Sequence, residues 1–403
     1  MLRRSAIRTL IGPAGIAIAV LLLAPGTAHA QFFGGGDQGP QVTRERLAQY
    51  GDLLGLDADQ REILGVLHEE YIDGVQSAVD GMREAMQRAR DEFEETRDRS
   101  AWEGVRELRE STTERVRVSE EQFMADMQAV LTPEQEAAWP RVERAHRRAT
   151  TLPRGLMSGE RVDLFAIVRD MDLSEGAASD VDAVLAEYEL ALDRALVQRN
   201  AAYEQGAELF RERRFDELQS FVEDARGDSE RVRDTHRSFA RRIEGFLAPE
   251  QADAFTAAVE RASFPTVYRP TRASRAIEAA AALEGLTPDQ REQVQAVADV
   301  TTRRMSEVNG RLARAIQSAE ESMTLRDFIG RARGGDRGGD DATRELFVER
   351  RDIGERAIEQ LRSILDETQI AAVEEAAGPE ARERGGRGDR GRRGRGGDAR
   401  RRF

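Results

Sequence analysis

Six short segments of the chain share one pattern, a leucine followed four residues later by a glutamine. They are Leu56–Gln60, Leu131–Gln135, Leu173–Ala177 (alanine in place of glutamine), Leu247–Gln251, Leu286–Gln290 and Leu365–Gln369. Alternate members start at 56, 173 and 286, separated by 117 and 113 residues, and the others at 131, 247 and 365, separated by 116 and 118. Two interleaved series with one spacing describe a unit of about 115 residues present three times, which constrains the architecture more than any local propensity.

Thr132 and Thr287 each precede a proline and stand three residues before a glutamine. That is a capping box: the hydroxyl accepts from the third helical N–H, and the glutamine reaches back to the N–H of the cap residue. Proline costs nothing at the first helical position, where its missing N–H would have no partner. Asp57, Ser174 and Asp366 suit the same role, whereas Ala248 cannot cap and leaves Gln251 without its counterpart. Each motif predicts a joint between two helices, with the leucine closing one and Gln60, Gln135, Gln251, Gln290 or Gln369 sitting in the first turn of the next.

Between the joints the apolar spacing is helical. Leu64, Leu67, Tyr71, Val75, Ala78, Met82, Met86 and Phe93 recur at intervals of three, four or seven. Unit 1 (residues 41–150) reads as helices over about 41–54, 57–98 and 101–130, and a fourth from Pro133. Unit 2 (157–263) reads as 162–171, 174–214, 215–246 and 249–262. Unit 3 (271–377) reads as 272–285, 287–332, 342–364 and 367–376. Linkers fall at Thr151–Pro153 and Ser263–Pro270, and Gly334–Asp340 swells the third hairpin's turn. The predicted fold is all-α: three tandem helical-hairpin units of about four helices each, elongated, with disordered termini.

Residues 1–30 have the layout of a cleaved secretory signal: Arg3, Arg4 and Arg8, an apolar stretch over Ile16–Leu23, and Ala28-His29-Ala30. Residues 31–40 read as a flexible leader. There is no cysteine, which removes disulfides, thiol chemistry and lipidation. All 61 basic residues are arginine. The last 26 residues hold ten of them against four acids, and the signal three, so the body between carries a formal −23 of the total −14. Such a body argues against nucleic-acid binding. Residues 378–403, rich in Arg and Gly, have almost nothing to bury and are predicted to be disordered. They could act as an arm for acidic envelope surfaces or for the acidic body. With 34% charged and only 5% aromatic residues, narrow apolar seams between long helices suit the composition better than one large core.

A signal, a Leu-x-x-x-Gln segment, a long charged helix, a returning helix and Leu131-Thr-Pro-Glu-Gln135 together resemble the LTXXQ family of Spy/CpxP-like periplasmic chaperones. The resemblance covers residues 41–377 in three copies and is closest in unit 1. It implies ATP-independent, holdase-type binding of unfolded or partly folded envelope proteins on a curved helical surface, no cofactor, and a stress-response role, with self-association left open. Adaptable side chains suited to such contacts are Met82, Met86, Phe93, Phe123, Met124 and Met127 in unit 1. Phe210, Phe215, Phe221 and Phe239 follow in unit 2, and Met305, Met323, Leu325, Phe328 and Phe347 in unit 3. Against each stands the alternative that it fills the hairpin seam; part of the Phe123–Met127 cluster is expected to be exposed.

Two other functions compete. Some relatives in that family bind transition metals, but here only His68, His146 and His236 follow the signal, none is paired with another histidine, and each reads as a surface residue. A helical scaffold without clients is equally compatible with the spacing and charge. Nothing in the chain has the pattern of a nucleophile and base or of a phosphate loop, and no enzymatic activity is expected.

Overall fold

The computed structural model describes residues 39–324, 327 and 341–378. The expected signal, positions 31–38 of the leader, the glycine-rich turn and the tail from 379 onward lie outside the described residues. Within those residues the chain is all-α, with fourteen helices and no strand. In chain order these are α1 Arg44–Leu54, α2 Ala58–Thr96, α3 Glu103–Ala129, α4 Pro133–Glu136, α5 Trp139–Thr151, α6 Leu164–Arg169 and α7 Glu175–Arg211. Then follow α8 Phe215–Glu244, α9 Pro249–Ser263, α10 Pro265–Tyr268, α11 Arg272–Ala281, α12 Pro288–Glu321, α13 Asp341–Ile364 and α14 Glu367–Ala377.

Three pairs of long helices fold back on themselves: α2 on α3, α7 on α8, and α12 on α13. At 1.5 Å per residue, the 39 residues of α2 make a rod of about 58 Å. Its buried residues, Leu64, His68, Tyr71, Val75, Ala78, Val79, Met82 and Ala89, trace one stripe along the helix. Each fully buried Leu, Val or Met on such a stripe contributes roughly 1.5–3 kcal/mol.

The caps follow the sequence in four of six joints. Asp57, Thr132, Thr287 and Asp366 each accept the N–H of the glutamine three residues on, and each glutamine returns the bond. Ser174 departs from expectation: it precedes α7 in extended conformation but makes no side-chain cap bond, and Ala177 has no amide to complete a box. At Ala248 only the glutamine half forms, Gln251 Oε1 accepting the Ala248 N–H at 3.3 Å.

Helix ends differ from expectation where proline or arginine intervenes. The helix expected from Pro133 lasts one turn, because Pro140 lacks the N–H that would bond to Glu136; the chain restarts as α5. Pro265 does not only stop a helix but opens α10 at its first position. The long helix of the third hairpin ends at Glu321 rather than 332. At the tips of the first two hairpins Arg97 (φ 57°) and Arg213 (φ 59°) take the left-handed conformation that glycine ordinarily supplies.

The motif glutamines do more than cap. Gln60 and Gln135, 75 residues apart, bond reciprocally, Nε2 to Oε1, at 2.8 and 2.9 Å. Each then donates to a carbonyl across the joint, Gln60 to Val130 at 2.9 Å and Gln135 to Gly55 at 3.2 Å. Gln290 and Gln369 meet in the same way at 3.0 Å, and Gln290 reaches the Ile364 carbonyl. In the second hairpin Ala177 leaves Gln251 alone, and its amide donates to the Asp172 carbonyl at 2.6 Å. A polar clasp thus closes the base of each hairpin.

Segments entering each hairpin are hooked to its middle. His68 Nε2 donates to the Val42 carbonyl (2.8 Å), while the Tyr71 hydroxyl accepts the Gln41 N–H (2.9 Å). His236 Nε2 donates to the Glu160 carbonyl, and Arg350 to that of Arg269, both at 3.2 Å. Successive hairpins also touch. From α5, Arg147 reaches Asp193 (2.8 Å) and Arg144 reaches Glu189 (3.3 Å) on α7. The end of α12 meets the loop before α6 through Glu320 and Ser158.

Candidate functional site

Most of the side chains expected to receive clients pack into the apolar clusters of the hairpins. Met82, Phe123, Met127, Phe221 and Met323 are buried. Met86, Phe93, Met124, Phe210, Phe239, Met305 and Phe347 are half-buried. The side chain of Phe215, and Leu325 and Phe328, lie outside what is described. No member of the Phe123–Met127 cluster is exposed, contrary to expectation. Phe123 and Met127 sit on the seam, and Met124 packs against a core that Tyr50, Leu54, Trp139 and Val142 extend beyond the hairpin.

Large apolar side chains that do face water are others: Ile63 and Val66 on α2, Val118 on α3, Leu190 and Val197 on α7, Phe246 after α8, Val300 on α12 and Val348 on α13. Val66 is the most open at 65%. Val118 belongs to the apolar series expected of the returning helix but faces water; the other helical ones fall out of phase with the buried stripes, and that phase is the signal that finds them. Ile63 and Val66 are three residues apart and Leu190 and Val197 seven, so each pair shares a helix face.

The expectation of surface histidines is corrected for two of three. His68 and His236 are buried at 2% and 1% exposure. His146 is half-buried, with Nδ1 3.1 Å from the Tyr50 hydroxyl and Nε2 2.7 Å from Glu120. Among the described residues no three His, Asp or Glu side chains converge as a metal site would require.

A buried polar cluster occupies the second hairpin where the entering segment crosses it. Glu160 and Arg199 are both fully buried and paired at 3.2 Å. The Glu160 carboxylate also accepts the N–H groups of Leu156 (2.8 Å) and Met157 (2.6 Å). Arg199 Nη2 donates to the Thr151 carbonyl (2.7 Å) and Asn200 Oδ1 (3.0 Å), and its guanidinium lies 5.3 Å from the centre of the Tyr203 ring, while Nε has no acceptor. Tyr203 shares a hydrogen bond of 2.9 Å with Ser229, and Tyr188 one of 2.8 Å with His236 Nδ1. Burial pushes the Tyr188 and Tyr203 hydroxyls well above their usual range, and holds His236 down at about 3. The cluster is a hydrogen-bonded network around one ion pair, with Arg199 Nε its unmatched donor. What its geometry performs is attachment of residues 151–162 to α7 and α8.

Glycines mark the close approaches of this region. A Cβ on Gly206 would lie 2.5 Å from the Phe221 ring, and one on Gly155 would lie 2.6 Å from Glu160 Cβ. Comparison with family models, curated proteins and solved structures finds no match to this chain.

Proposed function

We infer that the chain is an exported, ATP-independent holdase-type chaperone that binds unfolded or partly folded envelope proteins, built from one hairpin unit present in three copies. The observation that carries this is the clasp. The residues on which the resemblance to LTXXQ proteins rests, Gln60 with Gln135 and Gln290 with Gln369, close a hairpin at its base, and Gln251 does so alone. That the first and third pairs meet in the same way supports the reading of one repeated unit.

The client surface in this proposal consists of apolar side chains out of phase with the seams, chiefly Ile63 and Val66, Leu190 and Val197, Val300 and Val348. They are small, separate and set among charges, which suits weak contact with many sequences better than one deep groove. The acidic body would draw basic segments of a client and shorten its search. The experiment is light scattering of a reduced or heat-denatured client without ATP. The full chain should suppress aggregation near stoichiometric ratio, and Ile63→Ser with Val66→Ser should weaken suppression without changing helicity. No suppression at several-fold molar excess would instead support a scaffold without clients, a reading favoured by the ion pairs that tie α5 to α7.

A further inference from the structure

The loop Gly155–Glu160 lies between two hairpins and is held from both sides. From the second hairpin, Arg199 holds the Glu160 carboxylate and His236 donates to the Glu160 carbonyl. From the third, Glu320, 1% exposed at the end of α12, accepts the Ser158 N–H (3.1 Å) and hydroxyl (3.0 Å). Met323 follows it into an apolar cluster made by Leu156, Met157, Tyr203, Leu209 and Phe221. The loop is the seat of the third hairpin on the second.

The hydrogen bonds fix the His236 ring in one neutral form. Nε2–H donates to the Glu160 carbonyl, so Nδ1 must accept from the Tyr188 hydroxyl. A second ring proton would force the Tyr188 hydroxyl to turn from donor to acceptor and would strip its own proton of the Nδ1 partner. The charged and titratable groups around ring and loop are Tyr188, Arg199 and Tyr203 from α7, Arg148 from α5, and Glu160, Asp163 and Arg161 from the entering segment, Arg161 donating to the Gly155 carbonyl at 2.8 Å. Arg233 and Arg237 come from α8 itself, and Glu320 from α12. Of the carboxylates, Glu160 is engaged by Arg199, Asp163 by Arg148 (3.4 Å) and Glu320 by Ser158; none bonds to the imidazole.

We propose that this loop is an acid-released latch: proton uptake by His236 frees Gly155–Glu160, detaches the third hairpin from the second and uncovers the apolar cluster they share. The inference goes beyond client binding and holds with or without it. Because burial and the Arg199 cation lower the affinity of the closed state for a proton, the opened state binds more protons below the ordinary histidine value of 6.5. The closed state therefore loses stability as pH falls from 6.5 toward about 3.

The test is amide exchange at Leu156, Met157 and Ser158 in the full chain, corrected for intrinsic rate, from pH 7 down to pH 5. This range lies above the ordinary carboxylate values. The opening constant should rise about tenfold per pH unit below 6.5, roughly thirtyfold by pH 5, with parallel binding of an apolar dye. His236→Gln, which can donate and accept but does not titrate, should flatten the slope. A flat response in the wild-type chain, or an unchanged slope in the variant, overturns the proposal. If the variant does not fold, NMR titration of the wild-type imidazole decides: protonation near 6.5 with the three amides still protected overturns it, and no protonation until the amides open supports it.

Discussion

Removing one partner of the Glu160–Arg199 pair should be the most damaging conservative substitution in the second hairpin. Both side chains have 0% exposure, so neither charge is relieved by water when the other goes. Glu160→Gln keeps the shape and one acceptor oxygen, but leaves the Arg199 guanidinium uncompensated and weakens the bonds to the Leu156 and Met157 amides. Breaking a buried pair from one side costs about 3–5 kcal/mol, against about 0–1 kcal/mol for an exposed pair. Arg199→Met should cost about as much, while the double variant should lose far less than the sum, since two neutral side chains strand no charge. The assay is residue-resolved amide exchange along α7 and α8, because a chain of three hairpins need not unfold in one step. Single variants costing under about 1 kcal/mol, or losses that add within about 0.5 kcal/mol, would refute the argument.

Other substitutions test the remaining parts. Gln135→Leu removes a capping bond and the reciprocal bond to Gln60, and should destabilise the first hairpin by about 1–2 kcal/mol. Trp102, at the tip of that hairpin, and Trp139, packed on its core, are the two tryptophans of the chain, so intrinsic fluorescence in urea reads the first unit alone. Arg97→Gly and Arg213→Gly relieve left-handed residues at the tips and should each stabilise by up to about 1 kcal/mol, measured by local amide exchange; a loss would show that the arginine side chain holds the turn. Gly206→Ala drives a methyl group into the Phe221 ring and should cost about 1–3 kcal/mol in thermal unfolding, with an unchanged midpoint counting against the packing described.

What the sequence made legible is local chemistry. The boxes at Asp57, Thr132, Thr287 and Asp366 are visible because cap and glutamine are three residues apart and need no tertiary partner. The clasp was not legible, because Gln60 and Gln135 meet across 75 residues and nothing in either motif announces the other. The histidines were misjudged from charged neighbours in the chain, although helical phase held the answer. His68 lies between Leu64 and Tyr71 at spacings of four and three, and His236 follows Val232 by four, so both fall on buried stripes. Arg199 likewise continues the line of Leu192, Ala195 and Leu196 into Tyr203. Among the client candidates, methionine and phenylalanine are also what the seams use, so residue type alone does not separate a contact surface from a core.

If one hairpin unit is present three times, the same two positions must face each other at the base of each copy, and the absence of cysteine makes that directly measurable. Cysteine pairs placed at 60 and 135, at 177 and 251, and at 290 and 369 should each be bridged by a short bismaleimide within one chain, including the second pair, where alanine replaces a clasp glutamine. A mismatched pair at 60 and 251 should not be bridged. Failure of the second pair to bridge, or bridging of the mismatched pair with equal yield, would contradict the threefold unit.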